Sequence, residues 1–588
     1  MPKNRFLTKS RFQLATECPA KLFYTGKDDY ANQSMDDSFL EALAEGGFQV
    51  AALAKCYLPG GHEIGTLDYD QALAQTNDLL KLENVTIYEA AVSVENLFIR
   101  ADILVKRGNR LNLYEVKAKS VDPSDEHPFS TKSGTIKKGW KSYLYDAAFQ
   151  KYVISRAFPQ YTVNAHLMMA DKSARCPSEG LNQKFRLQKD GDGRKSVVVS
   201  AALGDDDLEP SILCKVNVDA ECEKIYTGTD GKEPQVNSFS EKIEMFSEHY
   251  ALDKKIQTPV STVCKDCEFQ TSEHDESEGL KSGVKECWKN DLNWNDEDFS
   301  CATVLDIWNF RKKAELIESG RIRLSDVVEE DISPKSDNKP GISASERQWL
   351  QIEKSQAGDY SPWIDGDGLM REMKTWVFPL HFIDFETTMV AIPFNKGRHP
   401  YEAIAFQFSH HVVSDDGTIQ HRGEYLNAEP GSFPNYEFLR RLKSELSGDQ
   451  GTVFQYATHE NTFLNHIYRQ LQSDPSVIED RNELCGFIRT ITKSPRDSEE
   501  QWVGDRAMVD MLEIGKRYYY DPLTNGSNSL KKVLPAVLNR SDFLKKNYSQ
   551  PIYGAPGGIT SLNFKDWRWI EFDGGKVKDP YEQLPPMF

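Results

Sequence analysis

The sequence predicts an α/β chain of two globular units joined by a polar connector, and three observations carry that expectation. Length is the first: 588 residues exceed several-fold the roughly 100–200 of a single domain, so more than one core is needed. The second is alternation, because strand-like apolar runs such as LFIRADILV (Leu97–Val105), LNLYEVKAK (Leu111–Lys119) and Trp376–Phe385 give way to stretches with helical spacing. The third is a composition shift between about 291 and 375. Trp294, Trp308, Trp349 and Trp363 are scattered there through polar helical patterns, and Asp331–Ser343 is dense in Ser, Asp, Pro and Gly, which reads as a loop. The expected division is 1–290, a helical and loop connector over 291–375, and a second unit over 376–588.

Composition narrows the function. The 71 Lys+Arg against 90 Asp+Glu leave a net charge of -19, which excludes a protein that coats nucleic acid by bulk charge and leaves a local basic strip as the means of contact. No run reaches the roughly 18 apolar residues of a membrane helix, and the opening Met1–Thr8 lacks a secretion core, so a cytoplasmic chain without membrane contact is expected. Ten cysteines are too few for a disulfide scaffold.

The runs Leu97–Val105 and Leu111–Lys119 flank a turn in which Gly108-Asn109 suits a tight hairpin. Side chains alternate along a strand, so Glu115 and Lys117 share one face, and Asp102 on the partner strand brings a second carboxylate. Phosphodiester hydrolysis is extremely slow unaided and builds negative charge on the phosphate. Asp102 and Glu115 are hard ligands for Mg²⁺ or Mn²⁺, and Lys117 is placed to orient water and offset charge. A lone Glu-x-Lys is an ordinary surface pair, so the surrounding pattern matters. Glu89 lies in the preceding run VTIYEAAV, and the helical stretch Tyr143–Ile154 carries Asp146 and Gln150 four residues apart, followed by Tyr152.

This order of Glu, Asp, Glu-x-Lys and Gln-x-Tyr resembles the PD-(D/E)XK nucleases of the RecB and AddB type and the CRISPR-adaptation exonucleases, over roughly the first 290 residues. The resemblance implies a restriction-endonuclease-like core with Asp102, Glu115, Lys117, Gln150 and Tyr152 as its catalytic residues. Relatives place a metal-binding His on an early helix after a Gly; here Gln49 and Val50 follow Gly46-Gly47, and Gln49 is the nearest substitute.

Cys18 near the start, with Cys264, Cys267 and Cys287 near residue 290, make four thiols at the two ends of this unit. Four thiolates hold either zinc or an iron–sulfur cluster, and their spacing does not choose between them. The Cys-Pro at Cys18 and the late Cys-x-x-Cys are similar to the 4Fe–4S staple of RecB/AddB-like nucleases, which implies that cluster, with zinc as the alternative. Basic residues gather around the proposed site, Arg5, Lys9, Arg11 and Lys21 near Cys18 and Lys132, Lys137, Lys138 and Lys141 before the helix of Gln150; they could track a phosphate backbone, and the last four form the candidate nucleic-acid-binding strip.

In the second unit the run Leu380–Phe385 leads into Asp384-Phe-Glu386-Thr387, with both carboxylates on one side of the strand. His459-Glu460-Asn461 opens a helical run, and Asp510 and Ser527–Pro535 (SNSLKKVLP) follow. The motif resembles the opening of DEDD-type 3′–5′ exonucleases, which implies an RNase H-like α/β fold with Asp384, Glu386, Glu460 and Asp510 as a second metal site. The whole order is similar to a bacterial domain of unknown function found fused behind RecB-like nuclease domains. The final DEDD motif, Tyr-x-x-x-Asp, does not occur after Ser529, so this site is expected to rank below the first. Together the resemblances imply a Mg²⁺- or Mn²⁺-dependent nuclease acting on DNA ends or single strands, with RNA as the other substrate, in repair or defence against foreign DNA. The alternative is a nucleic-acid-binding partner subunit with one or both sites silent.

Overall fold

The computed structural model describes residues 5–35, 38–189, 195–231 and 237–584. The chain is α/β and divides into two compact units: Met1–Asp296 with Met389–Glu402, and Glu297–Thr388 with Ala403–Phe588. Among the described residues no helix is long and apolar enough to cross a membrane.

The first unit is built on a sheet of β1 (Leu7–Thr8), β2 (His62–Glu63), β3 (Asn84–Val94), β4 (Leu97–Arg107), β5 (Arg110–Val121), β6 (Thr162–Asp171) and β7 (Leu213–Asn217). The order is β2-β3-β4-β5-β6-β7, with β1 beside β4. β4 and β5 form the expected hairpin: Gly108 takes φ 54°, which a residue without Cβ adopts at no steric cost, and Arg107 pairs with Arg110. Their ladder stops at Ile103↔Tyr114. Beyond that point the strands splay, and β1 takes the vacated edge of β4 through Leu7↔Leu97 and Thr8↔Phe98.

Two helices cover the fork. α1 (Lys9–Glu17) starts directly after β1, where the Thr8 hydroxyl caps the Arg11 N–H. α2 (Lys141–Ala157) is the crossover from β5 to its parallel neighbour β6 and buries Leu144, Phe149, Val153 and Ile154. Phe12 stacks on Phe149 with centroids 4.4 Å apart, locking α1 to α2; truncating either ring to Ala costs roughly 3–5 kcal/mol. A second cluster, with Val50, Leu53, Ile103 and Met168, receives Ala391 and Ile392 of the Met389–Glu402 segment, whose Arg398 carbonyl accepts from the Cys176 N–H at 2.8 Å.

The second unit has a five-stranded sheet: β8 (Leu380–Thr388), β9 (Ile404–Val413), β10 (Ile419–Leu426), β11 (Val453–Gln455) and β12 (Val509–Asp510), in the order β10-β9-β8-β11-β12. β9 runs antiparallel to β8 and β10, whereas β11 is parallel to β8 and β12. Ile383, Phe385 and Phe408 face α3 (Asn435–Leu446), α4 (His459–Ser473) and α5 (Arg481–Ile491). The stretch expected to be a connector has a core of its own, with Val304, Ile307, Leu316, Leu324 and Ile352 packed together, and from Glu297 onward it clusters with the second unit. Its Trp residues belong to packed structure, which is why a polar average hides a folded segment.

Candidate active site

Asp102 and Glu115 are the first residues past the end of the β4·β5 ladder. The Asp102 Oδ2 accepts from the Val116 N–H at 2.7 Å, supplying the backbone partner that the splayed strand has lost. Glu115 is fully buried. Its Oε2 accepts from the Gln150 amide at 2.5 Å, and its Oε1 meets Lys117 Nζ and Lys9 Nζ, each at 2.8 Å. Lys117 also binds Asp146 Oδ2 at 2.8 Å, and Lys9 lies 3.7 Å from Asp102 Oδ1. Asp102, Glu115, Lys117 and Gln150 are thus drawn into one constellation.

Burial of a carboxylate alone is costly, and here two ammonium groups offset it. Burial and the facing Glu115 charge push Asp102 above the usual carboxylate range. Burial works the same way on Glu115, but Lys9, Lys117 and the Gln150 amide overcome it and hold Glu115 low. The Lys117 ammonium is raised despite burial, through Glu115 and Asp146. Asp146 Oδ1 and Gln150 Oε1 are buried without a hydrogen-bond partner among the described residues.

Lys9 and Asp146 were not among the expected site residues. Asp146 was legible, one helical turn before Gln150. Lys9 was expected only as one basic residue near Cys18 that could meet phosphate; 106 residues separate it from Glu115, and the β1 pairing brings it in. Tyr152 takes a different place: its ring packs against Tyr226 and Phe239, and its hydroxyl accepts from Arg156 at 3.0 Å. Two residues along a helix turn a side chain by about 200°, so Gln150 and Tyr152 do not share a face. Gln49 donates to the Phe185 carbonyl at 2.7 Å. Glu89 stands opposite Asp102, between the pairs Tyr88↔Ile103 and Ala90↔Ala101, with φ 55°. That left-handed backbone in mid-strand costs a non-glycine residue roughly 1–3 kcal/mol.

Of the expected basic strip, Lys132, Lys138 and Lys141 are exposed. Lys137 donates to the His127 and Pro128 carbonyls at 2.8 and 3.1 Å, and Lys141 lies 3.5 Å from Asp230. Lys119 covers the rings of Trp140 and Tyr143 at 4.3 and 4.5 Å.

Cys18, Cys267 and Cys287 surround the cluster of Ala20, Tyr24 and Phe269. Cys18 caps α1, its thiol is raised by burial, and the nearby Cys264 and Cys287 reinforce the shift. Burial pushes Cys267 up to about 12. The Tyr24 hydroxyl lies 3.3 Å from Cys287 Sγ.

In the second unit the four expected carboxylates lie at or past the carboxyl end of the short parallel ladders, whose last pairs are Phe382↔Phe454 and Gln455↔Asp510. Asp384 and Glu386 stand exposed near the end of β8, Glu460 opens α4 beyond β11, and Asp510 ends β12. Asp510 Oδ1 accepts from the Ala457 and Leu512 N–H groups, each at 2.9 Å. Glu460 is buried with its Oε2 unpartnered among the described residues, and burial, with the charges of Asp384 and Asp510, pushes it up to about 7. Burial and the Asp384 charge also raise the Tyr581 hydroxyl, a neighbour that sequence reasoning missed.

A family model for DUF2779, a domain of unknown function, matches residues 381–529. That stretch holds all four of these carboxylates. No curated protein and no solved structure matches the chain.

The fit to a metal can be judged from the donors. Among the described residues no three Asp, Glu, His or Cys side chains are arranged to enclose an ion unaided. Mg²⁺ is commonly held by one or two carboxylates, with waters and phosphate oxygens completing its shell. The Asp102–Glu115 pair suits that mode, and the orphaned oxygens of Asp146 and Gln150 beside it favour further positive charge or water.

Proposed function

We propose that the chain is a metal-dependent nuclease that hydrolyses phosphodiester bonds at DNA ends or in single strands, with the site around Glu115 as its principal centre. The observation that carries this reading is the meeting of Asp102, Glu115 and Lys117 at the point where β4 and β5 part, with Gln150 and Asp146 behind them.

Asp102 and Glu115 would hold Mg²⁺ or Mn²⁺, which supplies Lewis-acid polarisation of a phosphate oxygen. The remaining work falls to the protein. Gln150 fixes the rotamer of Glu115 by occupying Oε2. Asp146 holds Lys117, so that its ammonium is pre-aimed where negative charge develops and needs no reorganisation during reaction. Strand β4 carries Asp102, and the β5·α2·β6 crossover places Glu115, Lys117, Asp146 and Gln150 on rigid elements.

For the thiols, the proposal is that Cys18, Cys264, Cys267 and Cys287 bind a 4Fe–4S cluster, with zinc as the alternative. Their shared neighbourhood at the two ends of the first unit and their soft sulfur donors support it.

For the second unit, the proposal is an RNase H-like domain that holds or guides nucleic acid. The strand order, and carboxylates at or past the carboxyl ends of the parallel ladders beside the switch between β8 and β11, support a ligand site there. The test of the nuclease reading is release of nucleotides from end-labelled single-stranded DNA by the purified chain. Cleavage that needs Mg²⁺ or Mn²⁺ and stops with chelator supports it; no release from DNA or RNA with either metal rejects it.

A further inference from the structure

Each carboxylate at the fork has one oxygen held by an uncharged N–H donor and one that faces ammonium groups. Asp102 Oδ2 is held by the Val116 N–H and Glu115 Oε2 by the Gln150 amide. The remaining two, Asp102 Oδ1 and Glu115 Oε1, are the oxygens a shared cation would take. Lys9 Nζ lies 3.7 Å from the first and 2.8 Å from the second.

Charge balance singles out the same group. With every group ionised, Asp102, Glu115 and Asp146 outnumber Lys9 and Lys117 by one negative charge, and Glu89, opposite Asp102, also acts on Lys9. Lys117 is tied at 2.8 Å to both Glu115 and Asp146, whereas Lys9 has no such second short contact. Removing Lys9 deepens the negative excess by one, which a cation at the same place would offset. The helix that carries Lys9 is pinned by the Phe12–Phe149 stack, but the lysine side chain is 24% exposed and has four methylenes with which to withdraw.

From this geometry we infer that Lys9 is a displaceable counter-ion. Its ammonium occupies the cation position between Asp102 and Glu115 until a divalent metal expels it, and the freed ammonium then stands beside the metal as a contact for a substrate phosphate. This deepens the nuclease reading and rests on it. Lys9 stabilises the metal-free site and competes with loading.

The test is Mn²⁺ binding followed by electron paramagnetic resonance, independent of any cleavage. It uses the full chain carrying Asp384→Ala, so that the second unit's carboxylates contribute little, with Asp102→Asn added as the blank. Lys9→Met removes the competitor, and the Mn²⁺ Kd should tighten about tenfold or more. Lys9→Arg, a permanent and bidentate cation, should weaken it by a similar factor. The paired variants keep the test decisive if one of them folds poorly. Equal Kd values in the parent, Lys9→Met and Lys9→Arg proteins would overturn the inference while leaving the metal site intact. Weaker binding in Lys9→Met would also overturn it. Absence of Mn²⁺ binding at the Asp102 site in every variant would remove both the inference and the nuclease reading beneath it.

Discussion

The Asp102 carboxylate accepts a hydrogen bond from the Val116 backbone N–H at 2.7 Å, and so it closes the fork where β4 and β5 part. The contact satisfies a ladder donor that has lost its strand partner, and it turns the other carboxylate oxygen toward Lys9. A break in the sheet and a charged site are the same structural event here.

Gln150 ties α2 to Glu115 through one amide group and leaves its own Oε1 buried and unpartnered. Gln150→Ala removes the donor and opens a cavity, and should lower stability by about 2–3 kcal/mol. Gln150→Leu also removes the donor but fills the space and eliminates the orphaned oxygen, so its loss should be smaller. Both should reduce cleavage by loosening Glu115. Urea denaturation midpoints of the two variants check the order; equal or reversed losses would show that the cavity and the orphaned oxygen are not what separates them.

The histidines of the second sheet set a pH dependence of stability. His411 stacks on His421, bonds to the Tyr553 hydroxyl, and is pushed down to about 4 by burial, with the neighbouring His421 and His410 opposing its protonation. Burial likewise lowers His381 and His410, which face Asp449, Glu445, Arg422 and Arg506. A folded value below the ordinary 6.5 means that the unfolded chain binds the proton first. The stabilising contribution is therefore complete above pH 6.5 and is lost as pH falls toward 4. The contribution of His411 to the slope cannot exceed about 1.4 kcal/mol per pH unit, because one ring binds at most one proton more in the unfolded chain than in the folded one. Denaturant midpoints across this range should fall for the wild type and fall less steeply for His411→Gln. Identical slopes would rule out this histidine as a source.

The four thiols make a separate prediction about content. Protein purified without oxygen should be brown and should contain iron and sulfide, lost on replacing Cys18, Cys264, Cys267 or Cys287 with Ser. Because Cys18 ends the helix that begins with Lys9, Cys18→Ser should also lower the thermal midpoint of the first unit. Stoichiometric zinc without iron would reject the cluster and keep the staple; neither metal would reject both.

Local chemistry explains what the sequence revealed. The β4–β5 hairpin was readable from Gly108-Asn109 and the flanking apolar runs, and its alternation placed Glu115 and Lys117 together. The α/β class followed from the same periodicities. Lys9 was readable only as one of several basic residues near Cys18; its contact with Glu115 and Asp102 depends on a two-residue parallel pairing, Leu7↔Leu97 and Thr8↔Phe98, which leaves no periodic trace. The motif did not reveal the helical phase that turns Tyr152 toward Tyr226 and Phe239. The polar stretch after Glu297 looked like a connector because its core is a set of isolated apolar residues, Val304, Ile307 and Leu324 among them, brought together by short turns.

The central claim is that the fork site, and not the second unit's carboxylates, performs the cleavage. Its most direct test is Mg²⁺- or Mn²⁺-dependent degradation of end-labelled single- and double-stranded DNA by the wild type, by Lys117→Ala and by the double variant Asp384→Ala plus Glu386→Ala. Folding is checked alongside, since Lys117→Ala leaves Asp146 buried without its partner, at roughly 3 kcal/mol. The account predicts that folded Lys117→Ala loses at least about a hundredfold in rate while the double variant keeps most of its activity. Full cleavage by Lys117→Ala together with none by the double variant would contradict it.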